Sequence, residues 1–155
     1  MFVQRKTRPV VLAVSSGGGH WMQLRRIAPG FDEAELHYAT TDRTVLSQLT
    51  SARVHFFPDA NKDTPLRLVA CIWRLALIVL RVRPDVVVST GAAGGVCAIC
   101  LARLIGARTM FIDSIANARE LSLSARLALW VADQVLTQWP DVAHKSRAKY
   151  CGSVL

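Results

Sequence analysis

The feature that most constrains the fold is an alternation, sustained along the chain, of short apolar runs with helical periods. Residues 10–16 (VVLAVSS) form an apolar run that ends in three glycines, as a strand buried on both faces would. A helix is expected from about Gly19 to the Pro29–Gly30 stop, and residues 35–41 (ELHYATT) alternate like a second strand. Asp42 can cap a short helix running to Gln48, and residues 54–57 read as a third strand. A long helix over 65–82 follows, with Pro65 in its first turn. The pattern then repeats: strand 85–90 (DVVVST), an apolar helix from the Gly91 turn to near Gly106, strand 109–113, helix 121–132 and strand 134–138. Trp139–Pro140 stops that strand, and a last helix is expected over 142–149. Such a series folds as an α/β domain with a doubly wound, mostly parallel, Rossmann-like sheet. With 155 residues and no linker, low-complexity tract or solenoid repeat, residues 1–155 are expected to be a single domain.

Composition narrows the setting. Hydrophobic residues make up 52% of the chain, which excludes intrinsic disorder. Lys and Arg number 19 against 11 Asp and Glu, a formal charge of +8 that suits work at an anionic surface, a membrane or a nucleic acid. No nucleic-acid reading motif is visible and the basic residues are not interleaved with aromatics, so a nucleic-acid partner is not expected. The apolar run 10–14 is far too short for a signal sequence, and the candidate spanning stretch, 66–82, is punctuated by arginines. Four cysteines without an export signal read as reduced thiols in the cytoplasm. Cys97 and Cys100 form a CxxC with no second Cys/His pair at zinc spacing, which favours buried structural thiols over a metal or redox site. No metal and no cofactor are expected.

Ligands of such sheets bind beyond the carboxyl ends of the strands, at a switch point. The first candidate turn is Ser15-Ser16-Gly17-Gly18-Gly19-His20, where backbone N–H groups at a helix start can hold a phosphate. The dinucleotide fingerprint fails, since Met22 stands where its third glycine should be, and no Lys-Ser/Thr follows as in a Walker loop. A nicotinamide oxidoreductase is thereby disfavoured. Asp42, where a ribose-binding acid would sit, is equally explained as a cap. His20 at a helix N-terminus, where the dipole favours neutral imidazole, can serve as a general base or simply cap the helix. A second turn, Ser89-Thr90-Gly91-Ala-Ala-Gly94-Gly95, repeats the arrangement. Two such turns can flank one diphosphate, with close helix–strand packing as the competing explanation for Gly94 and Gly95.

Arg67, Arg74 and Arg81 recur every seven residues and so lie in one stripe of the 65–82 helix, beside Trp73 and many aliphatic residues. That layout fits an amphipathic helix lying among lipid headgroups, and equally a buried core helix whose arginines snorkel outward.

The turns at 15–20 and 89–94, the segment Asp113-Ser-Ile-Ala-Asn117-Ala-Arg-Glu-Leu-Ser-Leu-Ser124, Ala132-Asp133 and Thr137-Gln-Trp-Pro140 occur in the order found in a known family. By them the chain resembles the membrane-associated subunit of split GT-B glycosyltransferases, which eukaryotes use on dolichol-linked sugars and bacteria (the PssD type) in exopolysaccharide assembly. Residues 59–62 and 150–155 are closer to the bacterial branch. The sequence is also similar to the N-terminal domain of MurG. The resemblance implies the N-terminal, acceptor-side half of a GT-B fold, acting with a separate donor-binding subunit. The implied reaction is inverting transfer from a UDP-sugar, shared with the partner, to a polyprenyl-diphosphate-linked saccharide. It further implies His20 as the base, Asp113 as a second catalytic candidate and Asn117 as a polar contact. Ser16, Gly17, Gly18, Gly19, Thr90, Gly91 and Gly94 would hold acceptor phosphates. Eukaryotic members usually bear an N-terminal anchor, and none is read here. Attachment is therefore expected to be peripheral, on the cytoplasmic face, through the basic N-terminus and the 65–82 helix, with Arg67, Trp73, Arg74 and Arg81 in contact. A non-catalytic membrane recruiter for the partner is the competing role.

Overall fold

Valine-rich β1 (Val10–Ser15) is buried along its whole length because it is flanked by strands on both edges and by helices on both faces. The computed structural model describes residues 8–49, 53–60, 63 and 65–154. In it β1 pairs with β2 (Glu35–Thr40) on one side and β4 (Val86–Ser89) on the other. Beyond them lie β3 (Arg53–Phe56), β5 (Arg108–Ile112), β6 (Gln134–Thr137) and β7 (Lys149–Tyr150), in the order β3-β2-β1-β4-β5-β6-β7. Every pairing is parallel, so the sheet is wholly rather than mostly parallel.

Alternate residues of β1 feed two cores, as a period of two requires. Leu12 and Val14 pack with α2 (Pro65–Val82), α3 (Ala92–Leu104) and α4 (Leu123–Val131). Ala13 packs instead with Trp21 and Leu24 of α1 (Gly19–Ile27), and Val11 with Val88 and Ile112. The helix boundaries follow capping chemistry. Asp42 accepts a bond from the Thr44 amide and opens a 3-10 turn over Arg43–Gln48, while the Ser122 hydroxyl accepts from the Ala125 amide and caps α4.

The carboxyl-terminal part departs from expectation. The last helix, α5, spans Pro140–His144 instead of 142–149, and Lys149–Tyr150 form a seventh strand. Proline cannot continue a strand but suits the first helical position, and it holds Trp139 extended before it. Trp139–Pro140 therefore starts α5 as well as stopping β6. The basic N-terminus expected to aid membrane attachment falls largely on residues 1–7, outside the described residues, as do Asn61 and Lys62.

Candidate functional site

Chain connections leave β1 toward β2 and β4 toward β5, in opposite directions, so the gap between β1 and β4 is the topological switch point. Both glycine turns follow these two strands. Gly18, with φ of 66°, bends the first turn into α1, and a side chain on Gly18 or Gly19 would meet nothing within 4 Å, so this backbone is open to approach. Gly17 is tied back, its N–H donating to Thr41 Oγ1 at 3.3 Å.

His20 closes the gap between the turns. Its Nδ1 lies 2.8 Å from the Thr90 carbonyl oxygen, and the Thr90 hydroxyl donates to the His20 carbonyl at 2.8 Å. A carbonyl only accepts, so Nδ1 carries the hydrogen and a neutral imidazole keeps its lone pair on Nε2. The ring rests on Gly91, whose φ is 143°. A Cβ there would lie 2.3 Å from His20 Cε1. Among the described residues the Ser15 hydroxyl, at the end of β1, is buried without a hydrogen-bond partner.

Several expected roles shift. Thr90 is fully buried and spends both its hydroxyl and its carbonyl on His20, so it positions the imidazole and has no free group for a phosphate. Gly94 sits against Phe57, where a Cβ would be 2.6 Å from the ring, so packing alone demands glycine there. Asp113, 2% exposed, accepts four bonds. Ser114 N, Asn117 Nδ2 and Ser122 Oγ reach its Oδ1 at 3.0, 2.9 and 2.7 Å, and Ser122 N reaches its Oδ2 at 2.9 Å. The carboxylate thus organises the loop that follows β5, and the Asn117 amide is one of its donors.

Sequence reasoning missed two buried glutamines. Gln23 Nε2 on α1 and Gln138 Nε2 after β6 donate to the Asp113 carbonyl at 3.1 and 3.0 Å, joining three elements beside the crevice. Gln23 lies one helical turn beyond His20, and that spacing is the signal that could have found it. Trp139 Nε1 donates to the Ile115 carbonyl at 2.7 Å, so the two motif segments 113–124 and 137–140 hold each other.

The α2 helix is only half buried, where a core helix would have been buried all round. Cys71, Leu75, Ile78 and Val79 face the core, while Leu66, Val69, Trp73, Leu77 and Leu80 form an exposed apolar row. Arg67, Arg74 and Arg81 are exposed along one edge of that row, and Arg74 Nε donates to the Phe56 carbonyl at 3.1 Å. On α4, Leu123, Leu127 and Trp130 are exposed in the same manner. None of the described helices is long and apolar enough to cross a membrane.

The other chemical candidates are accounted for locally. Hydrogen bonds from the Thr44 hydroxyl and amide hold the Asp42 carboxyl below its usual range, which assigns it to capping. Burial raises the thiols of Cys97 and Cys100 and pushes Cys71 up to about 11, the opposite of what a redox or metal-binding thiolate needs. Among the described residues no group of three His, Cys, Asp or Glu side chains could hold a metal.

A parallel sheet of this order, with two clasped glycine turns at its switch point, defines a Rossmann-like domain. Its fold matches that of MurG from Acinetobacter baumannii with a TM-score of 0.72 at 14% identity, over 86% of this chain and 43% of that one. Residues 35–154 match the model of the family described as oligosaccharide biosynthesis protein Alg14 like, and the chain belongs to that family. A UDP-N-acetylglucosamine transferase subunit of Schizosaccharomyces pombe is 38% identical over 79 residues, which is 46% of this chain and 37% of the relative. The human protein of the same description is 22% identical over 94% of this chain and 82% of its own length. The match thus spans about two-fifths of the fission-yeast relative.

Proposed function

We propose that residues 1–155 form the acceptor-binding, N-terminal-type half of a heteromeric, inverting GT-B glycosyltransferase whose donor-binding half is a separate chain. The observation that carries this reading is the His20 imidazole, its hydrogen committed to Thr90 and its Nε2 left basic, standing between two glycine turns at the switch point. In the proposed reaction Nε2 takes the proton of an acceptor hydroxyl. The oxygen then bonds to the anomeric carbon of a UDP-sugar, the bond from that carbon to the diphosphate breaks, and UDP departs with inversion. N–H groups at Gly18, Gly19 and the start of α3 would hold the diphosphate of a polyprenyl-linked saccharide, with Ser16 and Gly91 beside them. The names of the relatives, UDP-N-acetylglucosamine transferase subunits, support this substrate class and the division into subunits. The basic, partly apolar α2 supports peripheral attachment at a membrane's cytoplasmic face, and the 59–62 and 150–155 segments favour a bacterial exopolysaccharide setting.

A membrane recruiter without a catalytic part is the second reading, favoured by the outward apolar row of α2. An assay in detergent with a short-chain lipid-linked acceptor separates them, because recruitment is dispensable there. Transfer that needs both chains supports a shared active site. Full-rate transfer by the donor-binding chain alone overturns it in favour of recruitment.

A further inference from the structure

A cleft of about 590 Å³ opens between α2 and the edge strand β3, lined by His55, Arg74, Leu77, Ile78, Leu80 and Arg81. It shares no residue with the glycine turns. Among the described residues that line it, three of six carry or can carry positive charge and none is acidic. Arg74 is held in place through Nε on the Phe56 carbonyl, which leaves its terminal nitrogens without a carboxylate. Arg81 has no hydrogen bond or ion pair among the described residues.

His55 is oriented from behind. Glu35 Oε1 lies 3.1 Å from His37 Nε2, and an ionised carboxylate only accepts, so that nitrogen carries hydrogen. Arg53 NH1, which bonds Glu35, stands farther from the same nitrogen at 3.4 Å. Neutral His37 then accepts at Nδ1 from His55 Nε2, 3.0 Å away, and the two rings stack with an interplanar angle of 6°. The open nitrogen of His55 is Nδ1. Burial foremost, with the positive charges of Arg81 and Arg74 nearby, pushes its imidazole below the usual range.

We propose that this cleft binds a phosphate monoester, with Arg81 and Arg74 donating to its oxygens and His55 Nδ1 accepting from the hydroxyl of its monoanion. Guanidinium groups match phosphate geometry, and charge-assisted bonds to them are the strong ones. Leu77 and Leu80, 42% and 58% exposed, border the cationic residues, which suits a phosphate joined to an alkyl chain. The fitting ligand is a phosphate ester, either a lipid headgroup or a small soluble ester. Only the lipid source rests on the membrane contact proposed above.

The full chain is titrated calorimetrically with glycerol 3-phosphate and, separately, floated with phosphatidylcholine vesicles with or without phosphatidic acid. Saturable, phosphate-dependent binding in at least one arm is expected. It should weaken about tenfold or more in Arg81→Gln and less than about twofold in Arg108→Gln, whose exposed side chain on β5 does not line the cleft. Arg81 is exposed and has no hydrogen bond or ion pair among the described residues, so its variant should melt with the wild type, and His55→Gln, expected to weaken binding as well, provides a second test. Binding of glycerol 3-phosphate identifies a free ester as a ligand, and binding only to phosphatidic acid vesicles identifies a headgroup. Either supports the site. No saturable binding in both arms, or equal weakening by Arg108→Gln and Arg81→Gln, overturns it. Flotation lost in Trp73→Ser but untouched in Arg81→Gln keeps the membrane contact and removes the phosphate site. Arg81-dependent binding of glycerol 3-phosphate by a chain that does not float does the reverse.

Discussion

A backbone carbonyl can only accept, so Thr90 at 2.8 Å determines which nitrogen of His20 is basic. Gly91 makes that contact possible by having no Cβ at the position the ring occupies. Gly91→Ala should therefore push the imidazole off Thr90 and strain the backbone, at a cost of about 1–3 kcal/mol. Denaturant unfolding reads the stability loss, and sugar transfer with the partner present should fall alongside it. Asp113 makes a contrasting case. With four donors enclosing its carboxylate, Asp113→Asn should cost about 1–3 kcal/mol by turning one accepting oxygen into a donor. Turnover measured well below the melting temperature should survive that substitution. A variant that melts like the wild type and is inactive would return Asp113 to the chemistry.

Elements are joined at the sheet's other end by Asp133. Its carboxylate accepts from the Thr109 amide at 2.8 Å and the Thr109 hydroxyl at 3.0 Å, and it pairs with Arg103 of α3. The Thr109 amide bond foremost, with its hydroxyl and Arg103, holds the carboxyl below its ordinary range. Its contribution to stability is thus present above the unfolded-state value of about 3.9 and is lost as pH falls through the lower folded-state value. Asp133→Asn should melt lower than the wild type at neutral pH, and the gap should close below about pH 4. A gap of constant size across that range would contradict the account. Elements of this kind were legible in the sequence wherever their signal was local. The α2 helix ran over its expected residues because its apolar period and Pro65 lie within it. The short β7 was not legible, since two exposed residues carry no period and gain their strand character only from β6. The contacts of Thr90 and Gly94 were not legible for the same reason. Their partners, His20 and Phe57, come from other parts of the chain, and a glycine turn looks alike whether it faces a ligand or a side chain.

Across the molecule, the carboxyl end of the sheet carries the switch-point crevice and one helical layer carries exposed apolar rows on α2 and α4. Exposed apolar rows of this size are the kind of surface that a partner chain or a membrane covers. Whether His20 is the base of the shared site is read from kcat of a reconstituted His20→Gln complex. Glutamine can still donate to the Thr90 carbonyl but cannot take a proton. The account predicts a fall in kcat of about 10²–10⁴ with complex formation and acceptor KM nearly unchanged. A kcat within about threefold of the wild type would contradict it.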